Sequence, residues 1–308
     1  MNAQKLSMAK LVPYLFLCPA IAILSISVFW PAAQAFYLSF TQFETLGQTP
    51  EWIGLGNFRQ LWVDEVFWKS LGNSLLYLVG VVPILVTFPL GLAILVNQKL
   101  KGMHGFRAAY YTPVVISMVV AGIAWRWLYD ERGLLNQGLS FLAQNPIIES
   151  FLKLWGWTGE PIVWLQNPDI ALFCIMAVTI WKGLGYYMVI YLAGLQSIPQ
   201  DLYEAAAIDG SDGWQKHWDI TIPLMEPYLM LVAVISAISA AKVFEEVYVM
   251  TPGGGVLGST ITIVANLYEQ AFSEVGQGYS YACAMGLVLF LMIFGLSVLN
   301  LKLGQLRG

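Results

Sequence analysis

The sequence predicts an all-α polytopic membrane protein with six spanning helices. Two observations carry that expectation. Of 308 residues, 58% are hydrophobic and 11% are charged, where a soluble domain carries about 25% charged residues. The apolar residues are also gathered into six stretches that reach the roughly 20-residue length a helix needs to cross hydrocarbon. A segment in lipid must satisfy its own backbone hydrogen bonds, so such stretches read as helices.

The first stretch is 11–38, and the second, 71–96, holds no charge. The third is 108–129, charged only at Arg126, and the fourth is 170–196, interrupted by Lys182. The fifth, 223–250, carries Lys242, Glu245 and Glu246 late in its length, and the sixth, 281–301, is charge-free. Residues 1–308 thus read as a single transmembrane domain. Lys5, Lys10 and the later Ala33-Gln34-Ala35 imitate a secretory signal. The apolar run between them is span-length, which makes it a retained first helix. Pro19, Pro31, Pro83, Pro89 and Pro113 fall inside spans and predict kinks, tolerated where neighbours re-satisfy the freed backbone.

Six spans put both termini on one side. Lys5, Lys10, Lys99, Lys101, Arg107, Lys216, Lys302 and Arg307 lie on the side of the termini. Arg59, Lys69, Arg126, Arg132 and Lys153 lie on the other. The first set is larger and hugs the span ends, so the positive-inside rule places both termini in the cytoplasm. The outer loops, 39–70, 130–169 and 251–280, are rich in tryptophan (Trp52, Trp62, Trp68, Trp155, Trp157, Trp164). Tryptophan favours the membrane–water boundary, and these loops are expected to hold short helices along the outer surface.

Several function classes fall away. A net charge of −4 offers no basic face for nucleic acid. Cys18, Cys174 and Cys283 stand singly, and His104 and His217 are far apart. No metal-ligand spacing results, and no metal or cofactor is expected. Gly253 to Gly258 matches G-x-G-x-x-G in letters, but it follows a span instead of a strand and reads as a glycine-rich outer turn. No GxxxxGK[ST] run and no Ser/His/Asp constellation is present, so the chain is not expected to be an enzyme on its own.

The costly residues point to a solute path. A charge at the centre of a span costs about 2.5–3.5 kcal/mol on insertion scales and by default marks function. Lys242 precedes Glu245 and Glu246 by three and four residues, which on one continuous helix puts them on one face. Lys182 lies near the middle of the fourth span, with Trp181, Tyr186, Tyr187 and Tyr191 around it. Aromatic faces with hydroxyl handles and nearby charges suit a polyhydroxylated solute. Lys182, Tyr186, Tyr187 and Glu245 are therefore the expected substrate-binding residues.

One polar stretch stands apart, 204–223, which reads EAAAIDGSDGWQKHWDITIP. Glu204-Ala205-Ala206, Gly210 after three residues, and Ile220-Thr221-Ile222-Pro223 after nine more resemble the EAA signature of permease subunits of bacterial ATP-binding-cassette importers. Ile222 stands where that family usually has leucine. The runs 193–199 (AGLQSIP) and 248–255 (YVMTPGGG), with Trp52 to Phe58, resemble the carbohydrate branch related to the maltose-type permeases. The resemblance implies the type I importer fold, a bacterial inner-membrane location, and a cytoplasmic coupling loop at 197–222. In that loop Glu204, Ala205, Ala206, Asp209 and Gly210 would meet an ATPase subunit. It further implies a second, similar permease, two ATPase subunits that hydrolyse the ATP, and an external solute-binding protein that delivers a sugar or sugar-like solute. Two alternatives remain open at this point: an ion-coupled secondary transporter, and an importer of a non-sugar solute such as glycerol phosphate.

Overall fold

The computed structural model describes residues 2–43, 49–98, 102–154, 156–273 and 278–305. Lys99, Lys101, Trp155 and Arg307, used above for orientation and the aromatic belt, lie outside the described residues. The fold is helical apart from one short antiparallel pairing, and the chain divides into two compact units, 1–64 with 267–291 and 65–266 with 292–308.

In the first unit, α1 (Asn2–Leu24) passes through a wider turn at Ser25–Phe29 into α2 (Trp30–Leu38). Residues 13–38 form one span-length apolar run whose side chains are not buried by the rest of the chain. Strands β1 (Thr41–Gln42) and β2 (Glu51–Trp52) pair with Thr41 opposite Trp52. Buried Asn57, on α3 (Gly56–Val63), pins this hairpin by donating to the carbonyls of Ser39 and Thr41 at 2.9 Å each. Both carbonyls would otherwise be buried without a donor, which is costly.

The second unit is a bundle. The helix α4 (Glu65–Val96) is followed by α5 (Met103–Val115) and α6 (Met118–Leu128). Between residues 130 and 169 lie α7 (Leu134–Leu142) and α8 (Pro146–Leu154), the short helices expected in that segment. Next come α9 (Ala171–Ser197), α10 (Gln200–Ile208), α11 (Ile222–Leu224), α12 (Glu226–Ala241) and α13 (Glu245–Met250). The helices α14 (Ile263–Phe272) and α15 (Tyr279–Gln305) follow, each divided between the two units. The bundle core forms where α4, α9 and α12 pack together, with Tyr77, Val81, Ile175, Met188, Tyr191 and Val232 fully buried. Gly185 lets α5 approach α9, since a Cβ there would sit 2.0 Å from the carbonyl oxygen of Tyr110.

Among the described residues four helical stretches are long and apolar enough to cross a membrane, and two bent pairs raise the number to as many as six. The third and fifth predicted stretches are therefore not continuous helices. In the third, Gly105–Val115 and Met118–Leu128 meet at 98°. Ile116 and Ser117 are extended there, and Ser117 Oγ caps the new helix by accepting from the amide of Val120 at 3.4 Å. Serine is a strong N-cap because its oxygen takes an amide that the first turn leaves free. In the fifth, His217–Leu224 and Glu226–Ala241 meet at 57°. The helix then stops at Ala241, and Phe244 is non-helical before α13 begins.

Each break frees backbone carbonyls, and side chains take them up. Thr262 Oγ1 donates to Val243 O at 2.9 Å. Arg126 donates to Val249 O at 3.2 Å, just before the end of α13. Arg107 donates to Val96 O, the last residue of α4, at 2.7 Å. Tyr191 also donates to Val86 O inside α4 at 2.9 Å. In hydrocarbon an unmet carbonyl costs several kcal/mol, so these donors are conditions for the breaks to exist.

Candidate functional site

The four membrane charges separate into two pairs, and not into the pairs the spacing suggested. A cavity of about 310 Å³ opens between α4, α9 and α12, with Val114 of α5 and Glu246 of α13 also in its wall. Lys182, Tyr186, Tyr187 and Glu246 line it, with Thr179 and Ser239. Glu245 does not line it and is exposed, as is Lys242. The expectation that Glu245 faces the cavity is therefore corrected to Glu246. The physical reason is the break at 242–244. It restarts the helix, so the three- and four-residue spacing from Lys242 no longer describes one face. No glycine or proline marks that stop in the sequence, so no local signal gives it away.

The remaining expected residues converge. Tyr187 is buried and meets Tyr186 edge-on at 5.1 Å between ring centroids. Lys182 Nζ donates to Val114 O at 3.4 Å, and Tyr77 shares a 2.6 Å hydrogen bond with Thr179 Oγ1. Among the described residues the only ion pair within 4.0 Å joins Lys153 to Glu149 in α8. Lys182 and Glu246 form no ion pair within 4.0 Å, but Glu246 feels the Lys182 charge and hydrogen-bonds Thr179. Lys182, Glu246 and the hydroxyls of Tyr77, Thr179, Tyr186, Tyr187, Ser236 and Ser239 in an otherwise apolar pocket are what a small polar solute needs for orientation.

The loop between α9 and α12 folds as a compact knob. Pro199 stands immediately before α10, and Gly210 follows it with φ +88°. That left-handed conformation favours glycine and stops the helix. The amides of Asp209, Gly210 and Ser211 return to the carbonyls of Ala205, Ala207 and Ala206, closing the end of α10. Glu204 and Ala205 are exposed and Ala206 is half-buried. Beyond Gly210 the chain turns at 213–214 and is helical again from Gln215, through a wider turn at His217–Thr221, into α11. Asp212 receives the amide of Gly213 at 2.6 Å, and Ser211 donates to Asp219 at 2.6 Å. The knob turns on a residue that sequence reasoning passed over. Thr221 is fully buried, and its Oγ1 lies 3.1 Å from the hydroxyl of Tyr203 and 3.0 Å from Nδ1 of His217. It joins α10 to the segment that enters the next span. Ile208, Trp214 and Trp218 stand exposed beside it.

The glycine-rich run at 253–258 is a turn, as expected. Gly253, Gly254, Gly255 and Gly258 all have positive φ, and no strand precedes them.

Known proteins agree with this architecture. Residues 65–304 match the family model described as binding-protein-dependent transport system inner membrane component. The lactose transport system permease protein of Rhizobium radiobacter is 34% identical over 93% of this chain and 92% of its own length. The arabinooligosaccharides transport system permease protein of Bacillus subtilis is 32% identical over 97% and 90%. Among solved structures, a bacterial ABC transporter involved in the import of the acidic polysaccharide alginate superposes with a TM-score of 0.81 at 22% identity. That superposition covers 99% of both chains and shows the fold alone. The chain belongs to the family of binding-protein-dependent transport system inner membrane components, as a multi-pass permease subunit of the ABC importer type.

Proposed function

We propose that this subunit passes a neutral sugar or sugar-like solute through the cavity at Lys182, Tyr186, Tyr187 and Glu246. One observation carries the reading: charges of opposite sign that form no ion pair within 4.0 Å share a small cavity with hydroxyls and tyrosine rings inside an otherwise apolar bundle. A neutral polyol uses both charges as hydrogen-bonding groups and stacks on the rings. The lactose and arabinooligosaccharide permeases among its relatives support that solute class.

The same reading gives the 197–222 knob to an ATPase subunit, with Glu204, Ala205, Ala206, Asp209 and Gly210 at the contact. Exposed Ile208, Trp214 and Trp218 support this, since an apolar patch on a polar loop marks a protein contact. A second permease, two ATPases and an external solute-binding protein complete the assembly. Both termini then lie in the cytoplasm, in agreement with the cation distribution. Uptake of radiolabelled lactose and arabinotriose by proteoliposomes of the assembled complex is the test. ATP-dependent uptake that Glu246→Gln abolishes supports the reading. Uptake that persists in Glu246→Gln and Lys182→Met together overturns the site.

A further inference from the structure

A second and larger cavity lies at the N-terminal end of α9, opposite the 197–222 knob. It measures about 730 Å³ and shares no lining residue with the first. Three segments form its walls: the end of α6 with the turn 129–132, the segment 163–166, and the turn 250–256. Each is held by specific bonds. Buried Asn136 donates to the carbonyls of Asp130 and Ile162, and accepts from the amide of Ile162 at 2.9 Å. It thereby fastens the second wall to the first. Arg126 bonds Val249 O, which fastens the first wall to the third. Thr251 shares a 2.8 Å hydrogen bond with Thr260 and closes the third turn on itself.

The lining of this fixed cleft is distinctive. Arg126, Arg132, Asp130 and Glu131 converge on it with Gln166 and the ring of Trp164. None of the four charges is in an ion pair within 4.0 Å. Their formal charges cancel, so the cleft does not select an anion or a cation. The side chains of Arg, Asp, Glu and Gln are planar, and each offers paired donors or acceptors. Those pairs match neighbouring hydroxyls on a sugar ring, and an indole face is the usual platform beneath one. Trp164 Nε1 itself is buried without a partner, so what the residue offers the cleft is its ring. The volume falls inside the roughly 300–1,000 Å³ range of ligand pockets. A packed column of rings leads from the cleft to Trp181, the residue before Lys182: Trp164 to Tyr129 at 5.9 Å, Tyr129 to Trp125 at 5.4 Å, and Trp125 to Trp181 at 5.5 Å.

We propose that this cleft is a receiving subsite for a neutral polyhydroxylated solute, occupied before the inner cavity and independently of it. The proposal rests on the solute class given above and adds a second station to the path. The receiving subsite holds the solute by hydrogen bonds to Arg132, Glu131 and Gln166, against the Trp164 ring. Release toward the inner cavity follows the ring column, so the two stations fill in sequence.

The test is protection from labelling in the full assembled complex. Val163 lines the cleft and is 37% exposed. Val163→Cys is labelled with a membrane-impermeant maleimide, with and without lactose, arabinotriose or glycerol 3-phosphate as probes. Labelling is expected to slow about tenfold when a saccharide stands at ten times its Kd, and not with glycerol 3-phosphate. Protection persists in a Lys182→Met, Glu246→Gln background, and is lost in Arg132→Gln with Gln166→Ala. Three results overturn the proposal: no protection by a saccharide that the complex transports, protection that vanishes with the inner-cavity variants, and protection by sugar-free solute-binding protein that saccharide leaves unchanged. Protection by saccharides in a complex that transports none of them sustains the cleft and sinks the inner-cavity reading. Absence of both protection and transport sinks the two together.

Discussion

Lys182 on α9 donates through Nζ to the carbonyl of Val114, 3.4 Å away near the end of α5. In an unbroken helix that carbonyl would receive the amide of Met118, four residues on. The 98° bend takes Met118 away, and the lysine supplies the missing donor. A membrane cation that costs about 2.5–3.5 kcal/mol to insert thus does two things. It holds the bend that shapes one cavity wall, and it presents the rest of its hydrogen-bonding capacity to the cavity.

Lys182→Met should therefore reduce uptake sharply. A hydrogen bond to a charged group contributes about 1.5–3 kcal/mol, or roughly 10–150-fold. Glu246→Gln should fall in the same range, because it removes the acceptor that lines the cavity. Glu245→Gln should change uptake by no more than about twofold, as an exposed substitution usually stays within ±0.5 kcal/mol. Initial rates of ATP-dependent uptake decide. A Glu245 variant as defective as the Glu246 variant would sink the assignment.

This pair shows what the sequence could and could not reveal. The spans were legible because each is a long apolar run, and Lys182 was legible because it interrupts one. The knob was legible from Pro199 and Gly210, whose backbone preferences fix where α10 begins and ends. The breaks were not. Ser117 and Phe244 are ordinary residues for a helix interior, and the donors that permit the breaks, Lys182 and Thr262, lie 68 and 19 residues from the carbonyls they satisfy. Local pattern cannot see partners at that distance. Glu246 was missed for Glu245 for this reason alone. Thr221 was missed because its hub role depends on Tyr203 and His217 arriving from two different segments.

Gly185→Ala should prevent correct packing of α5 on α9. The added carbon would stand 2.0 Å from the Tyr110 carbonyl oxygen, a backbone atom that cannot swing aside. Overpacking of this kind costs about 1–3 kcal/mol or more. Fluorescence-detected size-exclusion chromatography should show a lower melting temperature for the detergent-solubilised protein. Gly72→Ala is the control, since a Cβ there meets nothing within 4 Å. Equal stability for the two variants would refute the close approach.

Thr262→Val tests the break in the fifth span. The swap keeps the shape but removes the donor to Val243 O. Burying that carbonyl unsatisfied costs about 1–3 kcal/mol, and α13 loses the anchor that aims Glu246. Uptake should fall severalfold while the protein still folds. Thr262→Ser restores the donor and should restore most of the uptake. If serine and valine behave alike, the hydroxyl is not what holds the break.

Thr221 carries the last prediction. Its hydroxyl faces the Tyr203 hydroxyl at 3.1 Å and His217 Nδ1 at 3.0 Å, so one oxygen joins α10 to the entry of α12. We propose that movement of the knob reaches the span through that junction. Thr221→Val cuts both links without changing the volume, and it should lower uptake more than it lowers ATP hydrolysis by the complex. Tyr203→Phe cuts only one and should uncouple less. Because the two residues share a bond, their effects should not add: the double variant should resemble Thr221→Val, with an interaction term of about 0.5–3 kcal/mol. Additive losses, or parallel losses of uptake and hydrolysis in Thr221→Val, would mean that force passes to α12 by another route.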